Sequence, residues 1–216
     1  MSKTLSTGSV FKIAATYGPV VDMTAITNAT EAEATLDSGH LVVVGDILEV
    51  TSGWGRLNER LVRVKTVVSD DITFEEINTN STTVYPPGSG VGSIRRVLTW
   101  VNLTQVNELS NSGGTQNFAD GSDTDSVIDV QLPTTKAPVV MNFTCHDDPA
   151  LPWYAACVAA DEARAPYGYQ MVSARGAVVL GNAYWSILQM PQVQKNQTLK
   201  TLITLTFAAA IKRYAT

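Results

Sequence analysis

From Glu108 to Thr135 the chain holds five carboxylates, Glu108, Asp120, Asp123, Asp125 and Asp129, and not one Lys or Arg. Gly, Ser, Asn and Thr dominate until Ser126. There alternation begins, with Ile128, Val130 and Leu132 on one side and Val127, Asp129 and Gln131 on the other. Period-two alternation beside turn residues predicts a β-hairpin with one apolar and one polar face. A long hairpin is marginal by itself in water and needs neighbouring strands to complete it. Either the rest of the chain or another copy of it must supply them.

The 216 residues fit one or two domains and suffice for a real core, since a chain of this size hides roughly 70% of its unfolded surface. Charged residues make up 16%, well below the usual value of about 25%. Two readings fit that shortfall: partners cover much of the surface, or Ser and Thr hydroxyls replace charges. The net charge of −5 argues against tight nucleic-acid binding, which needs Lys and Arg to displace counterions from phosphates. It is compatible with DNA passing close by without adhering. The first residues contain no apolar core of a signal peptide, and no stretch approaches eighteen apolar residues, so neither a leader nor a membrane span is expected. Five Asn-x-Thr sequons, at Asn28, Asn80, Asn102, Asn142 and Asn196, then reflect Thr abundance rather than glycosylation. Cys145 and Cys157 are expected as buried free thiols in a cytosolic product.

The pattern along the chain is mainly β. Val10 to Tyr17 reads as a first strand closed by Gly18-Pro19. Residues 24–84 contain short β runs at 47–50, 60–64 and 72–74, separated by turn signals. They predict a small β-barrel-like unit inserted between 1–23 and 85–216, which form the main domain. Pro86, Pro87, Gly88, Gly90 and Gly92 read as the hinge back to that domain. After the hairpin, residues 137–145 predict a core strand. Asp148 as helix cap and Pro149 at the first helical position then open a helix ending at Ala165, with Trp153, Ala156, Cys157 and Ala160 on one face. Short strands follow at 169–173, 177–180 and 183–190, with a turn at Gly181-Asn182. Residues 198–208 alternate most clearly, Leu199, Ile203, Leu205 and Phe207 against Lys200, Thr204 and Thr206. The predicted fold is α+β, mainly β: an antiparallel sandwich or barrel with one flanking helix, a long hairpin and the inserted β unit.

Candidate chemistry is thin. His146 stands beside Asp147, Asp148 and Cys145, but consecutive residues on a turn point apart, and a metal needs converging ligands. His40 reads as a turn residue. Gly88-Ser-Gly-Val-Gly-Ser93 lacks the Lys of a phosphate loop and precedes a β run rather than a helix. Asp120, Asp123 and Asp125 are spaced faintly like a calcium loop, but Gly121 is misplaced and no bidentate Glu follows. No enzyme, cofactor or metal is expected.

Gly8-Ser-Val-Phe-Lys-Ile-Ala-Ala-Thr16, His40-Leu with Gly45-Asp46, Ser52-Gly-Trp-Gly-Arg-Leu-Asn58, Gly88-Ser-Gly-Val-Gly-Ser93, Ser112-Gly-Gly-Thr-Gln116 and Asp147-Asp-Pro-Ala-Leu-Pro-Trp153 together resemble the lambda-type major tail tube proteins of siphophages, with a small inserted β-domain. The resemblance extends over nearly the whole chain and lies in the order of motifs rather than in any one.

The resemblance implies a virion protein of a non-contractile tail, assembled in the host cytoplasm. Six copies would form a ring, and stacked rings a tube through which double-stranded DNA passes without specific binding. Tape measure, terminator and distal tail proteins would be its neighbours, and no membrane would be involved. In that setting Asp120, Asp123, Asp125 and Asp129 are expected on or near the inner wall, and unit 24–84 on the outside. The alternative is a β-sandwich module recognising carbohydrate or a host surface, with Trp54, Trp100, Tyr167 and Tyr169 as stacking aromatics and Trp54 read as exposed.

Overall fold

The computed structural model describes residues 7–123 and 127–215. In chain order the elements are β1 (Val10–Ile26), β2 (Glu33–Leu36), β3 (Ile47–Ser52), β4 (Arg60–Val68), β5 (Asp71–Phe74) and β6 (Gly92–Leu103), followed by β7 (Val106–Gly113), β8 (Gln116–Asp120), β9 (Gln131–Lys136) and β10 (Val139–His146). The helix α1 (Pro152–Ala163) then precedes β11 (Tyr167–Val172), β12 (Val178–Ile187), β13 (Lys200–Phe207) and β14 (Lys212–Tyr214). Twelve strands form one antiparallel sheet in the order β2-β5-β4-β3-β6-β1-β11-β12-β13-β10-β7, with β14 against β12; β8 and β9 pair only with each other.

Because β2 also pairs with β1, the strands β1-β2-β5-β4-β3-β6 close a six-stranded ring. Its inside is filled by alternate residues such as Ala34 and Leu36 of β2, Ile72 and Phe74 of β5, and Leu48 and Val50 of β3, packed with Trp54 and Leu57. The ring takes two of its strands from β1 and β6, whose other halves run in the larger sheet. Thus Met23 faces Gly92 in the ring, while Phe11 faces Leu103 in the main body.

Gly18-Pro19 does not end the first strand. The register against β6 slips between Tyr17 and Val20, and the surplus residue is absorbed as a bulge, where the missing N–H of proline costs no ladder bond.

The remaining strands make an open, curved sheet, β6-β1-β11-β12-β13-β10-β7, with α1 packed mainly on β12. Trp153, Cys157 and Ala160 are buried at helical spacing against Ile13, Phe143, Tyr169, Trp185 and Leu205. The helix starts one turn later than Asp148-Pro149 suggests. Pro152 is its first residue, Leu151 the N-cap without a side-chain bond, and Asp148 instead accepts from the Ala150 N–H at 3.2 Å. Pro152 explains this: its ring holds the preceding Leu151 extended, and its missing N–H costs nothing at the first helical position. The end comes at Arg164 in the left-handed region, φ 50°, just before Pro166.

Gly181-Asn182 is no turn either. The strand β12 runs straight through it, since glycine leaves room for the Phe207 ring: a Cβ there would lie 2.4 Å from it.

A third cluster joins the two bodies. Ile47 and Leu61 of the ring pack with Ala14, Val97, Leu180 and Tyr214. Beside it Arg95 reaches both carboxylate oxygens of Glu49, at 2.9 and 3.0 Å, and lies 4.1 Å over the Tyr17 ring. Burial pushes the Glu49 carboxyl up despite Arg95, and pushes the Tyr17 phenol up as well. The Tyr214 hydroxyl accepts from the Arg63 N–H at 3.0 Å, tying β14 to β4.

Candidate functional site

Two surfaces stand out, and neither has the form of a catalytic centre. The first is the solvent face of β12-β13-β10-β7. In β10 the residues Met141, Phe143 and Cys145 point inward, leaving Val140, Asn142, Thr144 and His146 on the other face. In β13 Thr201, Ile203, Leu205 and Phe207 point inward, leaving Lys200, Leu202, Thr204 and Thr206. Antiparallel partners share a face, so register sets these side chains in rows: Ser186-Thr204-Asn142-Ser110, then Tyr184-Thr206-Val140-Ser112. Thr204 donates to the Asn142 side-chain oxygen at 2.9 Å. Small hydroxyls and amides dominate, with Glu108 and Lys200 as its charges towards one end. These rows were readable only in part from sequence. The Thr204/Thr206 alternation was visible, but the pairing that adds Asn142 and Ser110 was not.

The second surface is the hairpin. Its proximal part, β7 with β10, is the last pair of the large sheet, and β7 has no partner on its outer edge among the described residues. At Gly113 the ladder breaks. With φ +80° and a Cβ position only 2.0 Å from the Pro138 carbonyl oxygen, no other residue fits there. The distal part, β8 with β9, projects as a separate two-stranded ribbon. Ala119 and Leu132 share one face, Asp120 and Gln131 the other. No face of this ribbon is buried: Phe118 is 55% and Leu132 54% exposed, and Val127 and Ile128 beyond β8 are more so. Ile128 and Val130 precede β9, and Phe118 shares its face with Asp120 and Gln131 opposite Leu132, so the apolar face expected from Ile128, Val130 and Leu132 does not form in the single chain.

Asp120 ends β8, exposed, and its Oδ1 accepts from the Ser122 N–H at 3.0 Å; hydrogen bonds from Ser122 hold its carboxyl below the usual range. Asp123 and Asp129 lie exposed in the tip, and Asp125 falls outside the described residues.

The residues read as a hinge are tied down. The Pro86 carbonyl accepts from Trp54 Nε1 at 2.7 Å, the Gly90 carbonyl accepts from the Ser52 hydroxyl at 2.6 Å, and Gly92 is the first residue of β6. Pro87 and Gly88 are the exposed crest of that loop, with Gly88 at φ +77°.

Trp54 is not exposed. It is 1% accessible, capped edge-on by Tyr85 at 5.2 Å, and it lies inside the small ring. Tyr169 is equally buried in the other core, while Trp100 and Tyr167 are half-buried near the seam. The four aromatics thus form no stacking platform for a sugar. Sequence misplaced Trp54 because its flanking Gly53 and Gly55 mark a turn, and the turn folds inward over the ring's end.

His146 Nδ1 is 2.9 Å from the Thr198 hydroxyl, and Asp147 accepts from Thr201, so these side chains are spent on local bonds. His40 uses its ring to hold its own loop, accepting from the Val42 N–H and meeting the Ser69 carbonyl. Cys145 and Cys157 are buried and unbridged.

An unpaired sheet edge and a ribbon with both faces bare, among the described residues, leave surfaces that further strands could cover. The chain belongs to the phage tail tube protein family, whose model matches residues 52–216. It is thus a structural component of a virion tail and not an enzyme, and membership implies assembly of many copies into a tube. No curated protein matches the chain. Among solved structures, one chain of the cryo-EM structure of the anti-feeding prophage (AFP) baseplate, 6-fold symmetrised, is similar at 10% identity and a TM-score of 0.40, over 55% of this chain and 86% of that one.

Proposed function

We propose that this chain is the major tube subunit of a lambda-type, non-contractile siphophage tail, six copies closing each ring and rings stacking into the conduit for double-stranded DNA. The observation that carries this reading is the unfinished hairpin. One copy leaves the outer edge of β7 and both faces of β8-β9 unpaired, and closure in a ring removes such edges. A channel wide enough for a duplex needs more strands than the roughly 16–18 that already leave an aqueous pore. One chain cannot furnish these, and several copies of β12-β13-β10-β7 can.

The rows of Ser, Thr and Asn are suited to the bore, because they offer phosphates little positive charge to hold. On this reading the hairpin prolongs the wall, and Asp120, Asp123, Asp125 and Asp129 are proposed to lie on or near the inner surface, which the run of carboxylates without a Lys or Arg supports. The barrel carried by residues 24–84 sits on the exterior, where a narrow bore does not have to hold it. Tape measure, terminator and distal tail proteins contact the finished tube, which assembles in the host cytoplasm.

The test is electron microscopy of tubes grown from concentrated protein. The expected map has Asn142, Thr204 and Ser110 facing the channel; a map with them on the outer surface refutes the reading. A chain lacking residues 24–84, with Met23 joined to Tyr85 by a short linker, is expected to form rings still. Failure of a folded deletion variant to do so would place the barrel in the wall.

A further inference from the structure

Between the small barrel and the root of the hairpin lies a groove of about 960 Å³. Arg56, Arg60 and Tyr85 line it from the barrel, Gln116 and Lys136 from the hairpin root, and Ile211 from the segment after β13. Three cations face it and no carboxylate does. Among the described residues, none of the three takes part in an ion pair. The Nε of Arg60 is fully buried and has no hydrogen-bond partner. Arg60 thus keeps one guanidinium N–H without water or acceptor, and the groups that best complement such a cation are carboxylates, which match its planar fork.

The chain contains one segment of complementary chemistry. From Val97 to Thr135 there are five carboxylates and no cation, and Lys136, in the groove, is the first positive residue after Arg96. The hairpin cannot satisfy its own groove. Pairing of Gln116 with Lys136 and of Asp120 with Gln131 holds the ribbon extended, and the four steps from Gln116 to Asp120, at about 3.4 Å each, carry Asp120 roughly 14 Å from the root, with the rest of the tip beyond it. A second copy displaced along the ribbon brings its tip to that root. Root and tip are different patches, so the contact is heterologous, and repetition generates an open stack rather than a closed pair.

We propose that the groove lined by Arg56, Arg60 and Lys136 receives the acidic hairpin tip of a copy in the next ring, with Asp120 and Asp129 among its acceptors. This rests on the tube reading and adds to it which surface joins one ring to the next. Arg56 and Arg60 line the seat from the barrel, and Val139 and Phe207 belong to the face opposite the Val140 and Thr206 rows, so a docked tip holds Asp120 and Asp129 near the inner wall rather than on it.

The test uses two full-length variants: Arg56→Glu with Lys136→Glu in the groove, and Asp120→Lys with Asp129→Lys in the tip. All four side chains are exposed, so both variants are expected to melt like the parent. Each alone is expected to form rings but not tubes, with the concentration needed for tubes raised at least about tenfold. Mixed in equal amounts they are expected to form tubes again, since each supplies the charge the other lacks. Tubes of parental length from either variant alone, or no recovery on mixing, would overturn the seat while rings keep the tube reading intact. A parent chain that gives neither rings nor tubes, even when seeded with pre-formed tube ends, would overturn both.

Discussion

Replacing Trp54 by Ala should remove the keystone of the small barrel. The side chain is 1% exposed, packs edge-on against Tyr85 and donates its indole N–H to the Pro86 carbonyl at 2.7 Å. Truncating a buried Trp costs about 3–5 kcal/mol, from lost burial and the cavity left behind. The Pro86 carbonyl still accepts from the Ser89 hydroxyl at 2.8 Å, so loss of the indole donor adds little. In a chain of this length 1 kcal/mol shifts Tm by about 2–4 °C, which sets the expected fall at roughly 6–20 °C. Trp54→Phe keeps most of the ring and loses the hydrogen bond, and should cost about 1–2 kcal/mol. Differential scanning calorimetry measures both, with circular dichroism at 20 °C as the check on folding. A Tm within about 2 °C of the parent for Trp54→Ala would refute the reasoning, because only a side chain outside the packed interior could be removed so cheaply. The same result would revive Trp54 as a surface aromatic available to a ligand.

Gly90→Ala should also destabilise, by the opposite route and by less. The new Cβ would stand 2.5 Å from the Trp54 ring and 2.6 Å from Ile26, and overpacking of this kind costs about 1–3 kcal/mol, readable as a lower urea midpoint. Tyr214→Phe removes the acceptor of the Arg63 N–H and should cost about 1 kcal/mol. Tyr214→Ala should cost several times more and speed hydrogen exchange in β4, and unchanged exchange there would count against a tie between β14 and the barrel. Stability should fall at high pH. Burial pushes the Cys145 thiol from 9.0 up to about 11, and Cys157 is raised further by burial and then by Cys145. Each stays protonated in the folded chain where the unfolded chain has ionised. Stability is therefore intact below about pH 9 and declines above it by at most about 1.4 kcal/mol per pH unit per thiol. A urea midpoint that stays flat from about pH 8 to about pH 10.5 would contradict this. Both thiols should also resist aromatic disulfide reagents until the chain unfolds.

Much of this architecture was legible because it is written in local alternation. Residues Ile203, Leu205 and Phe207 face inward as their spacing predicts, and Trp153, Cys157 and Ala160 share the buried face of α1. Where reading failed, a long-range partner had changed the meaning of a local signal. Gly181 looks like a turn until the Phe207 ring is seen occupying the space where its Cβ would be. Gly18-Pro19 looks like a strand end until β6 supplies the register into which a bulge fits. Asp148-Pro149 looks like a helix start because Pro152, three residues on, fills that role as well. The hairpin and its carboxylates were evident from the chain. The neutral rows on the wall were not, because a row across four strands exists only once register is known. The cationic groove was hidden for the same reason: Arg56 and Arg60 come from one segment and Lys136 from another far away in sequence.

The strands β1 and β6, of 17 and 12 residues, each pass from the large sheet into the small barrel without interruption. The path in β1 carries the bulge at Gly18-Pro19, but neither strand ends at the junction. Force applied to the barrel travels along covalent backbone into the helix-backed sheet instead of dissipating in a tether. On the tube reading proposed above, the barrel acts as a fixed bracket, and whatever it touches is held at a set angle and height relative to the bore.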